Sequence, residues 1–214
     1  LHSGIKWSDG APFTAEDFVW TWNNVVLNSE LTAEFPERWK SPVSGNQPTV
    51  EEIDGLTVRF TWDDPNYPHI EVEMIGRTYD SGPGVMFSPS RYMAQFHWEF
   101  GDRNEIEAMM AEAELEHWSD LFMIKANGYR EPDRPVLSAW RTVDPPNGPE
   151  WILERNPYYY AVDPAGNQLP YIDRVHLTLV KDLEAASAAA AAGEIDCQGR
   201  HMSLSRVPQY EENA

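Results

Sequence analysis

Gly4-Ile5-Lys6-Trp7-Ser8-Asp9-Gly10-Ala11-Pro12-Phe13-Thr14-Ala15-Glu16-Asp17-Phe18-Val19-Trp20 decides how this chain is read. It predicts a strand end, a tight turn and a capped helix in immediate succession. Asp9-Gly10 is a turn pair, because Gly tolerates positive φ and the Asp carboxylate accepts local backbone N–H groups. Pro12 donates no backbone hydrogen bond, so the extended segment ends there. Thr14 stands at the helix N-cap, and Asp17, three residues on, reaches back toward the Thr14 N–H as an Asp version of the capping box. Glu16 and Asp17 place negative charge on the positive end of the helix dipole. Phe18, Trp22, Val25 and Val26 then recur on one helical face.

Outward from this stretch, residues 30–47 form a loop punctuated by Pro and Gly and carrying Phe35 and Trp39. Loops of this length are more often functional than not. Residues 49–62 predict a β-hairpin around Asp54-Gly55, with Leu56, Val58, Phe60 and Trp62 on one face and Thr57, Arg59 and Thr61 on the other. Asp63-Asp64 could suggest a metal or catalytic pair, but adjacent strand carboxylates point to opposite faces, which favours a solvated turn. Residues 66–75 read as a short helix or an irregular connection packing Tyr67, Ile70 and Met74, and 76–89 are rich in Gly, Pro, Ser and Asp. Residues 104–126 read as one helix, or as two broken near His117, burying Ile106, Met109, Met110 and Ala113. Residues 128–149 are rich in Pro and Gly. Residues 151–155 predict a strand that Asn156-Pro157 breaks, and the tyrosines at 158, 159 and 160 either pack or stack on sugar rings. A strand is expected over 173–180. An Ala-rich helix follows over 182–192, with Asp182 as N-cap and Gly193 as the left-handed residue at its end. Ile195-Asp196-Cys197 reads as a short strand.

Composition narrows the function. The chain has 214 residues, 42% hydrophobic residues and nine Trp, which fit a folded protein. A formal net charge of −19 opposes nucleic acid and anionic membrane surfaces. It reads as acidic solubility or, alternatively, as selection for cationic ligands. Cys197 is the single cysteine and is expected to be a buried, inert thiol. The six histidines lack zinc-ligand spacing, and no G-x-S-x-G elbow, P-loop or G-x-G-x-x-G occurs. No pattern nominates a pair of glycosidase carboxylates. No enzyme activity, metal or cofactor is therefore expected.

The opening stretch resembles the signature region of bacterial extracellular solute-binding proteins of family 5, the oligopeptide- and dipeptide-type binding components of ABC importers. Glu154-Arg155-Asn156-Pro157-Tyr158-Tyr159-Tyr160, with Gly166-Asn167-Gln168-Leu169-Pro170-Tyr171-Ile172-Asp173, is similar to the family's "ERNPYYW…GNQLPYID" segment. Ala192-Gly193-Glu194-Ile195-Asp196 is similar to its "AGEID" turn. Pro89 to His97 resembles its "P-K-H-Y-L-E-Q-F-H" helix, with Arg91 and Tyr92 in place of the usual Lys-His pair. Ser138-Ala139-Trp140 stands where the family often has "G-P-W" or "G-P-Y".

The resemblance implies an α/β fold, part of a type II, cluster C periplasmic-binding-protein-like structure: mixed β-sheets with packed helices in two subdomain pieces. Residues 1–76 would be the smaller inserted domain, 77–197 part of the larger lobe, and 198–214 a stub leading to a second lobe. Family members are much longer, so an excised portion is expected. The implied activity is reversible capture of an oligopeptide or similar solute between two lobes, for delivery to permease subunits. The implied protein is a periplasmic or extracellular monomer, with lipid anchoring an open question. In peptide-binding relatives the region of the 30–47 loop supplies an aromatic over the ligand, which makes Phe35 and Trp39 the ligand-binding candidates; packing is the equal alternative for each. Two rivals remain. One is an oligosaccharide-binding member of the same class. The other is a stand-alone carbohydrate-binding or adhesion module, against which an uncovered apolar surface would count.

Overall fold

The computed structural model describes residues 1–67, 86–197, 207 and 211. The opening stretch folds as its residues predict. Lys6 bridges Pro12 across the turn, and Gly10 takes φ +87°. The Asp9 carboxylate accepts the Ala11 N–H at 2.9 Å. A Cβ on Gly10 would lie 3.1 Å from the exposed Tyr158 ring, which would have to shift slightly, so it is the positive φ that calls for glycine here. Helix α1 (Ala15–Thr21) follows, with Thr14 in extended conformation before it and its N–H donating to Asp17 Oδ2 at 3.1 Å.

The helix does not continue as a regular α-helix. Trp22–Val26 is a π-helical segment, closed by the Leu27 N–H donating to the Trp22 carbonyl at 3.0 Å. Phe18, Trp22, Val25 and Val26 are all buried, as the periodicity predicts. Strands β1 (Thr49–Asp54) and β2 (Thr57–Thr61) pair antiparallel across the Gly55-Leu56 turn. Val58 and Phe60 lie against Trp7, Phe13 and Phe18, while Val50 lies against Trp22, Val26 and Trp39. Asp63 and Asp64 bind the preceding loop. Asp64 Oδ2 accepts the Ser44 N–H at 2.7 Å, and Asp63 Oδ2 accepts from Asn46 Nδ2 at 2.6 Å.

Helix α2 (Ser90–Met93) runs into a 3-10 turn, Ala94–Phe96. The expected helical region at 104–126 is two helices, α3 (Arg103–Glu112) and α4 (Trp118–Lys125), with His117 at the second N-cap. Their inner faces supply Ile106, Trp118, Leu121 and Phe122 to a core completed by Val25, Leu31, Met93 and Phe96. Gly101 lets the chain turn into α3: its Cβ would stand 2.2 Å from the Gln95 carbonyl oxygen. Gly101→Ala is therefore expected to cost about 2–3 kcal/mol through backbone displacement, read as a lower urea midpoint.

Strands β3 (Trp140–Asp144), β4 (Glu150–Arg155) and β5 (Arg174–Thr178) form a second antiparallel sheet in that order. Strand β3 starts at Trp140, inside the stretch noted only as rich in Pro and Gly. In the sheet, Glu154 is flanked by Arg141 on β3 and Arg174 on β5, with N–O distances of 3.5 and 2.6 Å. Helix α5 (Leu183–Ala191) has the expected ends. Asp182 accepts the Ala185 N–H at 2.8 Å, and Gly193 has φ +72°.

Several expectations need correction. Residues 195–197 form no strand, and Cys197 is exposed rather than buried. Apolar contacts between described residues link the two sides of the expected boundary at residues 76 and 77. Val25 and Leu31 pack with Met93 and Phe96, and Phe13 and Phe18 lie 5.1 and 4.9 Å from Phe87. Ile70, Met74, the Gly-Pro crossing up to residue 85, His69, His201 and most of the 198–214 stub lie outside the described residues.

Candidate functional site

Asp17 is the polar centre of the opening stretch. Only 4% of it is exposed, and both carboxylate oxygens are in use. Oδ2 accepts from Trp7 Nε1 at 3.0 Å and from the Thr14 N–H at 3.1 Å. Oδ1 accepts from the Ser90 N–H at 3.0 Å and from Ser90 Oγ at 2.8 Å. Four donors satisfy this buried carboxylate, and among the described residues it forms no ion pair. The group joins turn, α1 and α2, and it has no free lone pair with which to take a proton from a substrate. Beside it a surface cavity of about 200 Å³ is lined by Trp7, Asp9, Pro12, Glu16, Arg91 and Tyr92, among others. Burial, followed by the negative charges of Glu131 and Asp133, pushes the Tyr92 hydroxyl well above its ordinary value, so it stays protonated. Another cavity, of about 310 Å³, lies at the end of the three-stranded sheet among Asp144, Asn147, Glu150 and Thr178.

The aromatic pair nominated for ligand contact does not line either cavity. Trp39 has no exposed surface; its ring stacks on Trp22 with centroids 5.3 Å apart and planes 3° from parallel. In this arrangement the covered ring packs against Trp22 and Val26. Phe35 is half-buried, edge-on to Trp22 at 5.7 Å, and keeps part of its ring accessible.

The 156–173 segment is held by its own side chains. Asn156 is buried. Its N–H donates to the Ala139 carbonyl at 2.8 Å, its Nδ2 to the Ser138 carbonyl at 3.0 Å, and its Oδ1 accepts the Tyr158 N–H at 2.9 Å. Gln168 Nε2 donates to the carbonyls of Pro157 and Tyr159 at 2.9 and 2.8 Å. Asp163 gathers the Ala165 and Asn167 N–H groups, Asn167 Nδ2 and the Tyr171 hydroxyl. The Asn-Gln-Leu-Pro-Tyr run is thus explained by loop closure. Of the three tyrosines, 158 and 160 are exposed and 159 is half-buried, so they are less packed than a core reading requires. Lys6 Nζ lies 5.4 Å from the Tyr158 ring centre.

The Tyr171 hydroxyl, followed by the Asn167 groups, holds the Asp163 carboxyl down at about 2 from an ordinary 3.8. The depressed value stabilises the loop above pH 3.8, and that contribution disappears as pH falls through about 2. Tyr171→Phe is expected to raise the Asp163 titration toward 3.8, followed by NMR of the carboxyl carbon. The sequence reading gives no role to Asp163, nor to Tyr171 and Ser90 beyond their place in quoted segments. The first two carry a spacing signal (an Asx-type turn closed by Asn167), whereas Ser90 carries none. Among the described residues no three His, Cys, Asp or Glu side chains are arranged to hold a metal ion, and no helix is long and apolar enough to cross a membrane.

Residues 1–214 match the family model of bacterial extracellular solute-binding proteins, family 5 Middle. The chain is 30% identical over 182 residues to the periplasmic alpha-galactoside-binding protein of Rhizobium meliloti (strain 1021), covering 84% of this chain and 22% of that protein. A solved oligopeptide-binding protein OppA matches with a TM-score of 0.84 at 36% identity, over 100% of this chain and 32% of that one. The periplasmic binding protein MelB of Agrobacterium fabrum C58, solved with stachyose, matches with a TM-score of 0.61 at 26% identity, over 90% of this chain and 25% of that one. The chain spans less than a third of the length of these relatives. The order of the turn-and-cap stretch, the Asn156 corner and the Asp163 loop, together with the match along its whole length, means that this chain belongs to the bacterial extracellular solute-binding proteins of family 5.

Proposed function

We propose that this chain is part of the substrate-binding component of an ABC importer, which captures an oligopeptide between two lobes and delivers it to permease subunits. The observation that carries this reading is the fit of the entire chain to an oligopeptide-binding protein at a TM-score of 0.84. Ligand capture of this kind is hinge closure, driven by contacts that the ligand makes only in the closed state. Backbone hydrogen bonds to an extended peptide would make it tolerant of side chains. The protein would act outside the cytoplasm as a monomer and catalyse nothing. Leu177, Leu179, Val180 and Leu183 are exposed, Leu179 at 77%, and this apolar strip disfavours a self-contained module. Phe35 is the side chain of the 30–47 loop we assign to the ligand.

An oligosaccharide is the second reading, favoured by the alpha-galactoside-binding relative and the stachyose-bound MelB. The exposed rings of Tyr158 and Tyr160 suit stacking on sugars. Calorimetric titration of the protein at its natural length against a short-peptide pool and an oligosaccharide pool distinguishes the two. Heat from the peptide pool alone supports the first reading; heat from the oligosaccharide pool alone replaces it with the second. Silence from both overturns the assignment of either solute.

A further inference from the structure

The geometry points to His97 as an acid-sensitive latch: while neutral, its ring fastens the π-helical segment to α4, and proton uptake releases that junction. His97 is 1% exposed. Rings of Trp20, Phe100, Trp118 and Phe122 surround it at centroid distances of 5.9, 5.0, 4.9 and 5.9 Å. Its Nδ1 accepts the Glu99 N–H at 3.2 Å. Its Nε2 lies 3.0 Å from the Asn24 carbonyl, an acceptor, so the proton of the neutral ring sits on Nε2. Asn28 Nδ2, a second donor, lies 3.3 Å from the same nitrogen, and Asn28 Oδ1 is committed to the Glu30 N–H. The ring therefore faces two donor groups and one acceptor.

An imidazolium needs two acceptors. Protonation at Nδ1 sets N–H against the Glu99 N–H, removes that bond and leaves a charge among aromatic rings. Among the described residues the charged groups acting on the ring are Glu99 on its own turn and Glu30, whose Oε2 accepts the Trp118 indole N–H at 2.5 Å; from α1 and α4 the ring meets Trp20, Trp118 and Phe122. Both carboxylates raise the ring's proton affinity and the Asn24 carbonyl does so further, but burial outweighs them and holds His97 below its ordinary 6.5. The sign follows. The unfolded chain binds the proton more readily, so the junction is fully fastened above pH 6.5 and weakens as pH falls from there through the lower folded value. The imidazolium still donates from Nε2 to the Asn24 carbonyl, so the junction opens only when the charged ring leaves its aromatic cage, and that departure frees the π-helical segment carrying Trp22 and Val26.

The test uses the protein at its natural length. Nitrogen-detected NMR of the histidine rings should show His97 as the neutral Nε2–H form at pH 7, titrating below 6.5. Hydrogen exchange, corrected for intrinsic rates, should accelerate at residues 22–28 and 118–125 as pH falls below 6.5, by up to about tenfold per pH unit, while β3–β5 stay protected. In His97→Gln, which cannot titrate, the proton uptake on unfolding should fall by about one in that window. A ring carrying both protons at pH 7, or exchange at 118–125 insensitive to acid in the unmodified protein, overturns the latch. So does a folded His97→Gln variant with unchanged acid sensitivity.

Discussion

Asp17→Ala is expected to destabilise the fold by about 4 kcal/mol, because it leaves several buried donors without an acceptor. The Trp7 indole, the Thr14 N–H, and the Ser90 N–H and hydroxyl all converge on this carboxylate. Each orphaned donor costs about 1–3 kcal/mol when water cannot replace the partner, with some recovered by relaxation. Loss of the cap on α1 adds to this. Asp17→Asn keeps one acceptor oxygen but turns an NH2 toward two of the donors, and about half the loss is expected. Removing one negative charge from a chain of net charge −19 relieves some repulsion, too little to change the order. Urea unfolding monitored by tryptophan fluorescence gives the comparison. Equal midpoints for the native protein and the Ala variant, at equal slope, would show that the carboxylate does not hold these elements together.

Trp39→Ala should cost a similar amount, about 3–5 kcal/mol, through the cavity left under Trp22 and beside Val26. The stacked arrangement of the two indoles contributes about 0.5–1.5 kcal/mol beyond area burial. The Trp39 carbonyl also receives the Trp62 indole N–H at 2.8 Å, so a collapsed loop would carry the end of β2 with it. Trp39→Phe separates packing from recognition. The smaller ring preserves most of the core, and a folded Phe variant is expected to lose stability while keeping ligand affinity. The reverse pattern, with unchanged stability and weakened binding, would restore Trp39 to the ligand site and contradict its burial as the reason for its presence.

Both residues show where the sequence was informative. The Asp17–Thr14 cap was legible because it needs only three positions of separation and a backbone already committed to a helix start. The bond from Ser90 to the same carboxylate was not, because the two are 73 positions apart and no local pattern encodes the encounter. For Trp39 the resemblance offers a ligand contact, because relatives supply an aromatic from the region of its loop, and packing is the equal alternative. A large ring in a loop is compatible with exposure or with burial, and only the presence of Trp22 beneath it decides.

The sequence by itself determined the turn at Gly10, the cap of α1, the β1–β2 hairpin, both ends of α5 and, through its three motifs, the family. These follow from φ preference, capping and side-chain alternation, forces that act over a few residues. The tertiary structure alone decided that Val25 and Leu31 pack with Met93 and Phe96, that Trp22–Val26 winds as a π-helix, that β3 joins a sheet, that Cys197 is exposed and that His97 is sealed among four rings. Those outcomes depend on which distant surfaces exclude water together, and burial is a property of the assembled surfaces rather than of any one stretch.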